Sequence, residues 1–193
     1  MTPGDVVEKW NQRHQEADGQ GSAAQVLLRN RHLLPHSGKA LDLACGRGAN
    51  AMLLAQSALE THAWDFSSVA IAQLEEHARE NGLKIETQVR DVTACPPEAA
   101  SFDLILVSFF LERTLIPRLI QALRPKGMIF YQTFVQDVCL DRGPSTNAWR
   151  LEKNELLHLF QGLQVHYYRE DGGICLQPTD ISDLAMIVAS KGA

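Results

Sequence analysis

The sequence predicts an α/β fold built on a doubly wound, mostly parallel seven-stranded sheet with an antiparallel C-terminal hairpin. Short apolar runs alternate with helix-forming segments between residues 37 and 134, which is the pattern of a parallel sheet flanked by helices. A glycine turn joins the first of these runs to its helix. The last two apolar runs, 165–169 and 184–189, are separated by Gly and Pro residues without a convincing helix, so we expect them to pair as a hairpin.

The composition is that of a single globular domain. The chain has 193 residues, of which 45% are hydrophobic and 21% charged, enough for one full core. A net charge of −5 and a pI near 5.8 give no electrostatic footprint for nucleic acid or an anionic membrane. Neither a signal pattern nor an apolar run of about 18 residues appears, so we expect a cytoplasmic protein. The four cysteines lie far apart without a C-x-x-C pair, so we expect neither a metal site nor a disulfide framework.

Residues 1–36 are predicted to form a helical N-terminal arm that covers the site, ahead of a core over residues 37–193. The arm reads as two amphipathic pieces with a joint at Gly19 and Gly21. One face of the first helix would carry Trp10, Arg13 and His14, because their spacing matches the helical repeat. These residues are candidate lid or substrate contacts, although an anchoring tryptophan with solvated neighbours explains the spacing equally well.

The first core strand and the turn after it organise the rest of the chain. Residues 40–44 are apolar except for Asp42, and residues 49–56 are good helix formers. Gly46 and Gly48 lie between these segments, where the backbone can approach a ligand closely because no Cβ intervenes. The helix start adds free N–H groups and a partial positive charge. The unit predicts a nucleoside- or phosphate-sized notch at the carboxyl end of the sheet.

The later elements continue the alternation. Further strands are predicted over residues 60–65, 83–89, 102–110 and 128–134. Further helices are predicted over residues 67–81, 115–123 and 151–160. The strand over 102–110 is apolar almost throughout, which indicates burial on both faces. A serine at the start of the helix over 67–81 and Gly82 after its end form a typical pair of caps.

Three acids fall at the carboxyl ends of the first three predicted strands: Asp42, Asp65 and Asp91. Since these strand ends meet at one edge of the sheet, all three should face one crevice. Asp65 can accept hydrogen bonds from two ribose hydroxyls and Asp91 from an adenine amine, while Asp42 can lie near a ligand ammonium. A helix cap or loop role explains each acid alone about as well, but their joint occurrence is harder to dismiss.

Two cofactors fit the glycine turn. Residues 46–51 match the dinucleotide fingerprint G-x-G-x-x-A, with Asp65 at a suitable distance, which favours an NAD(P)-binding oxidoreductase. Asp42, four residues before Gly46, favours a ligand with an amino-acid cation, since this carboxylate would repel a pyrophosphate at short range. The sequence has no Tyr-x-x-x-Lys pair, which argues against a short-chain dehydrogenase.

On these motifs the sequence resembles the class I S-adenosylmethionine-dependent methyltransferases, whose fold is Rossmann-like. Residues 41–48, LDLACGRG, are similar to the family's first motif, with Ala44 where glycine is commoner. Residues 101–108 resemble the fourth motif, and residues 119–130 resemble the helix, turn and fifth strand. The resemblance implies S-adenosyl-L-methionine as cofactor. It assigns to cofactor binding Asp42, Ala44, Cys45, Gly46, Gly48, Asn50, Asp65, Phe66, Asp91, Val92 and Ser108.

Weaker signals resemble the small bacterial methyltransferases of the tellurite-resistance (TehB-like) group. They are WNQR at 10–13, ACGRGAN at 44–50, WDFS at 64–67 and GPSTN at 143–147. Phe109, near the end of the fourth predicted strand, and Arg113, after that strand, join the arm residues as candidate substrate or lid contacts. The stretch 108–112, SFFLE, lacks the proline pair typical of enzymes that methylate base amines or glutamine amides.

The sequence therefore predicts an enzyme that transfers a methyl group from S-adenosylmethionine to a small-molecule acceptor, as a monomer or homodimer. No acid–base pair stands out, because His14, Glu112 and Tyr131 each have a better explanation as surface, loop or core residues. The catalytic residues stay unassigned. A soft acceptor, such as a thiolate or a tellurite- or selenite-like oxyanion, would need no general base. An NAD(P)-binding oxidoreductase and a non-catalytic S-adenosylmethionine-binding protein are the alternatives.

Overall fold

The computed structural model describes residues 3–17, 19, 21–140, 142–173, 176–177 and 179–193. One sheet contains the strands β1 (Lys39–Leu43), β2 (Glu60–Asp65), β3 (Ile85–Val89), β4 (Phe102–Ser108), β5 (Leu123–Phe134), β6 (Gln164–Glu170) and β7 (Leu184–Ser190). Their order is β3-β2-β1-β4-β5-β7-β6. Strands β1 to β5 are parallel, and β7 pairs antiparallel with both β5 and β6. The predicted Rossmann-like sheet with its antiparallel C-terminal hairpin is confirmed.

Six α-helices accompany the sheet within the described ranges: α1 (Pro3–Gln15), α2 (Gln25–Arg29), α3 (Ala49–Gln56), α4 (Ser68–Glu80), α5 (Ile116–Ala122) and α6 (Glu155–Leu159). Short 3-10 turns cover Arg31–Leu33, Arg113–Leu115 and Asn147–Trp149. Helix α4 starts as its sequence predicts, because the Ser67 side chain accepts a hydrogen bond from the Ala70 N–H. Helix α6 starts later than predicted, at Glu155, because Asn154 before it adopts a left-handed backbone with φ +61°.

Alternate residues of the central strands fill two apolar clusters, one on each face of the sheet. On β4, Ile105 and Val107 belong to one cluster, whereas Leu104 and Leu106 belong to the other. All four are fully buried. Successive side chains of a strand point to opposite faces of the sheet, and both faces of a central parallel strand are covered by other elements, so residues on both faces are apolar. The carboxyl ends of the strands are therefore held rigidly by a core that continues beneath them.

The second piece of the predicted arm is part of this core. Val26 and Leu27 of α2 are fully buried and pack with residues of β4, β5 and β7. The apolar spacing over residues 22–34 predicts one helix that stops at Pro35, but the helix in the structure ends at Arg29. The Asn30 amide donates to the Val26 carbonyl at 2.9 Å, and the backbone of Asn30 leaves the helical region with φ −119°. The described residues of the predicted arm before Ala23 contribute no side chain to the core clusters.

The cysteines and the lengths of the helices test two further expectations from the sequence. Cys139 is disulfide-bonded, contrary to the expectation from cysteine spacing, whereas Cys45 and Cys95 are free thiols. Spacing misses such a bond because two residues far apart along the chain can still lie close together in space. In the described part of the chain, no helix has the length and apolar character needed to cross a membrane.

Candidate functional site

The turn after β1 is a run of left-handed backbone conformations. Ala44, Gly46 and Gly48 have φ of +54°, +51° and +77°. Glycine adopts such angles without cost, whereas a residue with a Cβ is strained there. This conformation gives a physical reason why glycine is commoner at the position of Ala44.

The two glycines make room for different neighbours. A Cβ on Gly48 would lie 2.3 Å from Cδ1 of Leu74, a buried residue of α4. Gly48 therefore permits close packing between the turn and α4. A Cβ on Gly46 would lie 3.4 Å from Cε1 of His14, so Gly46 faces the N-terminal helix α1.

Asp65, at the end of β2, ties that strand to the glycine turn. Its Oδ2 accepts a hydrogen bond from the Gly46 N–H at 2.8 Å, and its Oδ1 accepts one from the Ser67 N–H at 2.9 Å. Burial raises the pKa of Asp65, and these hydrogen bonds oppose that effect. Each carboxylate oxygen has a second lone pair, so Asp65 can still accept a ligand hydroxyl.

Asp42 lies fully buried beneath the same turn. Its Oδ2 accepts a hydrogen bond from the Ala51 N–H at 3.0 Å, which fixes the start of α3. Its Oδ1 has no hydrogen-bond partner among the described residues. Burial raises the pKa of Asp42 well above its usual range; the Ala51 N–H and the Asn50 side chain oppose this shift, and the charge of Asp65 adds to it. An orphaned buried oxygen beside a second carboxylate is an environment that a cation would relieve.

Asp91 and Val92 occupy the next strand end. Asp91 is exposed, and its Oδ1 accepts hydrogen bonds from the Thr93 N–H at 2.9 Å and the Thr93 hydroxyl at 2.6 Å. The hydroxyl bond lowers the pKa of Asp91. Asp91 thus stabilises its own loop, which was the alternative to a binding role for this acid. Its contact with adenine stays a prediction. Val92 is buried in the core cluster that includes Trp64.

Asn50 links the turn to two other elements. Its Nδ2 donates to the Ser108 hydroxyl at 3.0 Å, and its Oδ1 accepts the Ala24 N–H at 2.7 Å. The amide is engaged at both ends, so the structure brings Asn50 and Ser108 together as positioning groups. The Cys45 thiol is buried, and burial raises its pKa well above the usual range, which makes it a poor nucleophile. Phe66 is half-buried beside Asp65.

Helix α1 lies over the turn. Trp10, Arg13 and His14 share one face, as predicted. The Arg13 guanidinium lies 4.9 Å from the centre of the Trp10 ring, and the Trp10 and His14 rings are 5.9 Å apart. Burial lowers the pKa of His14, and the nearby Asp65 opposes this shift. The neutral imidazole therefore covers Gly46 near neutral pH.

Phe109, directly after β4, borders the other side of the crevice. It has a left-handed backbone with φ +58° and is 50% exposed. Such a conformation is strained for a bulky residue and is found most often at functional sites. Its ring lies 5.2 Å from that of Phe134. The two rings form an aromatic wall beside Ser108.

Arg113, in contrast, is fully engaged in structure. Its guanidinium donates to both carboxylate oxygens of Glu155, at 2.6 and 2.9 Å, and to the carbonyls of Ala148 and Arg150. A side chain with this many partners braces the segment before α6. Its predicted role at the substrate finds no support in these contacts and stays a prediction.

Sequence reasoning missed several residues that build the site. Arg47 and Gln73 bind the backbone of the N-terminal segment, and Gln132 accepts the Val26 N–H at 2.8 Å. Gln132 could have been identified from the sequence, because it is a polar residue inside an apolar strand. The partners of Arg47 and Gln73 lie far away along the chain, and their spacing gives no signal.

One group of potential metal ligands lies away from the crevice. Glu60, His62 and Glu86 bring ligand atoms within 4.8 Å of one another, near the amino ends of β2 and β3. Lys39 lies 3.6 Å from the same Glu60 oxygen that His62 approaches at 3.3 Å. These ion pairs explain the grouping without a metal.

The sequence matches known proteins over its first five strands. Residues 40–127 match the model of a family described as a methyltransferase domain. The probable S-adenosyl-L-methionine-dependent methyltransferase TehB of Haemophilus influenzae is 27% identical over 141 residues, which cover 70% of this chain and 49% of the relative. The chain thus spans about half the length of the curated relatives it matches.

Solved structures share the fold at lower identity. The crystal structure of TehB from Haemophilus influenzae superposes with a TM-score of 0.71 at 22% identity, covering 92% of this chain and 65% of that one. A SAM-dependent methyltransferase from Methanosarcina mazei gives a TM-score of 0.69 at 21% identity, covering 89% and 99%. The cyclase SpnF gives 0.69 at 19%, covering 98% and 93%. One fold thus carries more than one chemistry.

Proposed function

We propose that the chain is a class I S-adenosylmethionine-dependent methyltransferase, which transfers the methyl group of this cofactor to a small-molecule acceptor. The environment of the glycine turn carries the proposal. Two buried carboxylates, Asp42 and Asp65, flank the turn. An oxygen of Asp42 lacks a partner among the described residues. The two carboxylates would attract a cationic nucleoside at the turn, whereas a dinucleotide would bring a pyrophosphate toward them.

The residues present fit the cofactor group by group. Asp65 can hold the ribose hydroxyls, Asp42 can lie near the amino-acid ammonium, and Asp91 with Val92 can bind the adenine edge. Asn50 and Ser108 would fix the floor between the turn and β4. Trp10, Arg13 and His14 would close the crevice from above.

The cofactor assignment is tested by isothermal titration with S-adenosylmethionine, S-adenosylhomocysteine and NAD. We expect the first two to bind and NAD not to bind. Asp65→Ala should weaken binding by about 1.5–3 kcal/mol, the value of a charge-assisted hydrogen bond. Asp103→Ala, which changes a partly exposed acid at the amino end of β4, is the matched control. Binding of NAD alone would replace this proposal by an oxidoreductase.

The same site favours an acceptor that is already nucleophilic. When bound, the cofactor supplies an activated methyl group on a sulfonium leaving group. The protein must then place the acceptor in line within a dry site, an effect worth up to about 7–11 kcal/mol. Phe109 and Phe134 offer a polarisable, apolar wall for this purpose. We propose a soft acceptor, a thiolate or a group-16 oxyanion.

No described candidate is well placed as a general base. The Tyr131 hydroxyl is buried and donates to the Phe110 carbonyl at 2.6 Å, and burial raises its pKa. Glu112 accepts hydrogen bonds from the Thr114 N–H and hydroxyl at 3.1 and 2.6 Å. His14 is neutral but covers Gly46 on the cofactor side.

Acceptor screening with thiols, selenite, tellurite, amines and phenols tests the soft acceptor. Turnover confined to the thiols and oxyanions would support it. Tyr131→Phe and His14→Ala should then lower kcat less than tenfold. A loss of about 10³-fold at saturating substrate, with cofactor affinity intact, would identify a base and redirect the search to hydroxyl or amine acceptors.

A further inference from the structure

Helix α1 is fastened to the core by side chains that border the cofactor crevice. The Ser67 hydroxyl donates to Asn11 Oδ1 at 2.7 Å, and Gln73 Nε2 donates to the His14 carbonyl at 3.2 Å. The Arg47 guanidinium donates to the carbonyls of Ala17, at 2.9 Å, and Gly19. In each contact the donor belongs to the core and the acceptor to the N-terminal segment.

The attachment of α2 is of another kind. Val26 and Leu27 are fully buried, and the N–H groups of Ala24 and Val26 donate to the amide oxygens of Asn50 and Gln132. A buried apolar element opens only with the core itself, whereas α1, which has no buried side chain among its described residues and is held by a few part-buried hydrogen bonds, can open alone. The N-terminal segment therefore divides at Gly19 and Gly21 into a fixed part and a part that can be released.

Arg47 is placed to control that release. It lies between Gly46 and Gly48, on the turn proposed to bind the cofactor, and its guanidinium group donates to two carbonyls just beyond the end of α1. A planar guanidinium holds two acceptors in fixed geometry, which a lysine ammonium does not. The contact places His14 over Gly46, where Cε1 lies 3.4 Å from the position of a Cβ.

We propose that Arg47 is a positioning residue that latches α1 over the cofactor crevice and so slows the departure of the cofactor. The latch rests on the proposed function, because it requires the cofactor to lie at the glycine turn. It acts through the backbone at Ala17 and Gly19, so its effect reaches the ligand by way of Trp10 and His14. Loss of the latch should raise the dissociation rate and leave the fold intact.

The test uses the full chain with S-adenosylhomocysteine as probe. Arg47→Met keeps the aliphatic stem and removes the donors. It should raise the dissociation rate in stopped-flow displacement about tenfold, the effect of one or two lost hydrogen bonds. Hydrogen exchange over residues 3–17 should become faster, with the melting temperature unchanged. Arg79→Met, at an exposed arginine of α4 paired with Glu76, is the matched control and should change none of these quantities.

Gln73→Leu separates the latch from a direct contact of Arg47 with the ligand. It removes the donor to His14 and leaves the glycine turn untouched, so it should reproduce both effects. Faster dissociation from Arg47→Met without faster exchange in α1 would overturn the proposal, because Arg47 would then act on the ligand itself. Faster exchange with unchanged dissociation would overturn it too. If the wild-type chain binds no S-adenosylhomocysteine, the proposed function fails, while the exchange of α1 still shows whether Arg47 holds it.

Discussion

Ala44 shows at the scale of one residue what the glycine turn costs. A left-handed backbone destabilises the folded state by about 1–2 kcal/mol when the residue has a Cβ. Glycine removes this strain, but its greater freedom in the unfolded chain lowers the stability by about 0.4–1 kcal/mol. Ala44→Gly should therefore raise the free energy of unfolding by about 0.5–1 kcal/mol, as measured in urea. The control Ala72→Gly, at an exposed position of α4, should lower it by a similar amount. Equal losses in both variants would show that Ala44 is unstrained.

Asp42 makes stability depend on pH in an unusual direction. Because burial raises its pKa above the ordinary 3.8, the folded protein holds this proton more tightly than the unfolded chain does. The contribution of Asp42 to the free energy of unfolding is thus fully present at pH values below its ordinary pKa. It is lost as pH rises through the pKa that Asp42 has in the folded protein.

Asp42→Asn should remove this dependence. The free energy of unfolding of the variant, minus that of the wild type, should grow as pH rises from about 4 to about 8. Urea unfolding of both proteins at several pH values measures the difference, in which the other carboxyl groups cancel. A difference that stays flat or falls with pH would show that Asp42 is ionised at little cost.

At the scale of elements, a buried arginine helps to hold the segment from Val135 to Leu151, together with Asp183, which accepts hydrogen bonds from Cys139, Leu140 and Arg142. Arg150 is 6% exposed and donates to the carbonyls of Val135, Arg142 and Pro144 at 2.9, 2.6 and 2.8 Å. The described residues between 136 and 146 can therefore keep their path beside Phe134 without a helix or strand.

Arg150→Lys should lower the free energy of unfolding by about 2–4 kcal/mol, because a single ammonium nitrogen cannot occupy the three separate positions from which Nε, Nη1 and Nη2 donate to these carbonyls. Guanidinium unfolding measures the loss. Arg169→Lys, at a surface ion pair with Asp171, should cost less than about 1 kcal/mol. Similar small effects from both changes would mean that solvent replaces the lost donors at residues 135–144.

The elements also show where sequence patterns suffice. Residues 49–56 and 60–65 form the helix and strand predicted for them, because their boundaries are local: a glycine before α3 and an acid at the end of β2. The attachment of α2, in contrast, depends on Gln132, which accepts the Val26 N–H from a position more than a hundred residues away. No local pattern encodes such a partner. The same holds for Arg47 and Gln73, whose acceptors are backbone carbonyls.

For the whole molecule, ligand binding should appear as a gain in stability. S-adenosylhomocysteine at a hundredfold excess over its dissociation constant adds about 2.7 kcal/mol, which for a chain of this size raises the melting temperature by about 5–10 °C. Differential scanning calorimetry measures the shift, with NAD at the same concentration as control. An equal shift with NAD would contradict a site built for a cationic nucleoside.

The buried position of α2 has a consequence for anyone who wishes to dissect or fuse this protein. The family match begins at residue 40, and the predicted core begins at residue 37. A fragment that starts at residue 37 would therefore contain the whole region of the family match. It would lack the side chains of Val26 and Leu27 and would leave the amide oxygens of Asn50 and Gln132 without their donors. The shortest fragment expected to fold starts near residue 22, and a fusion partner is best joined ahead of α1.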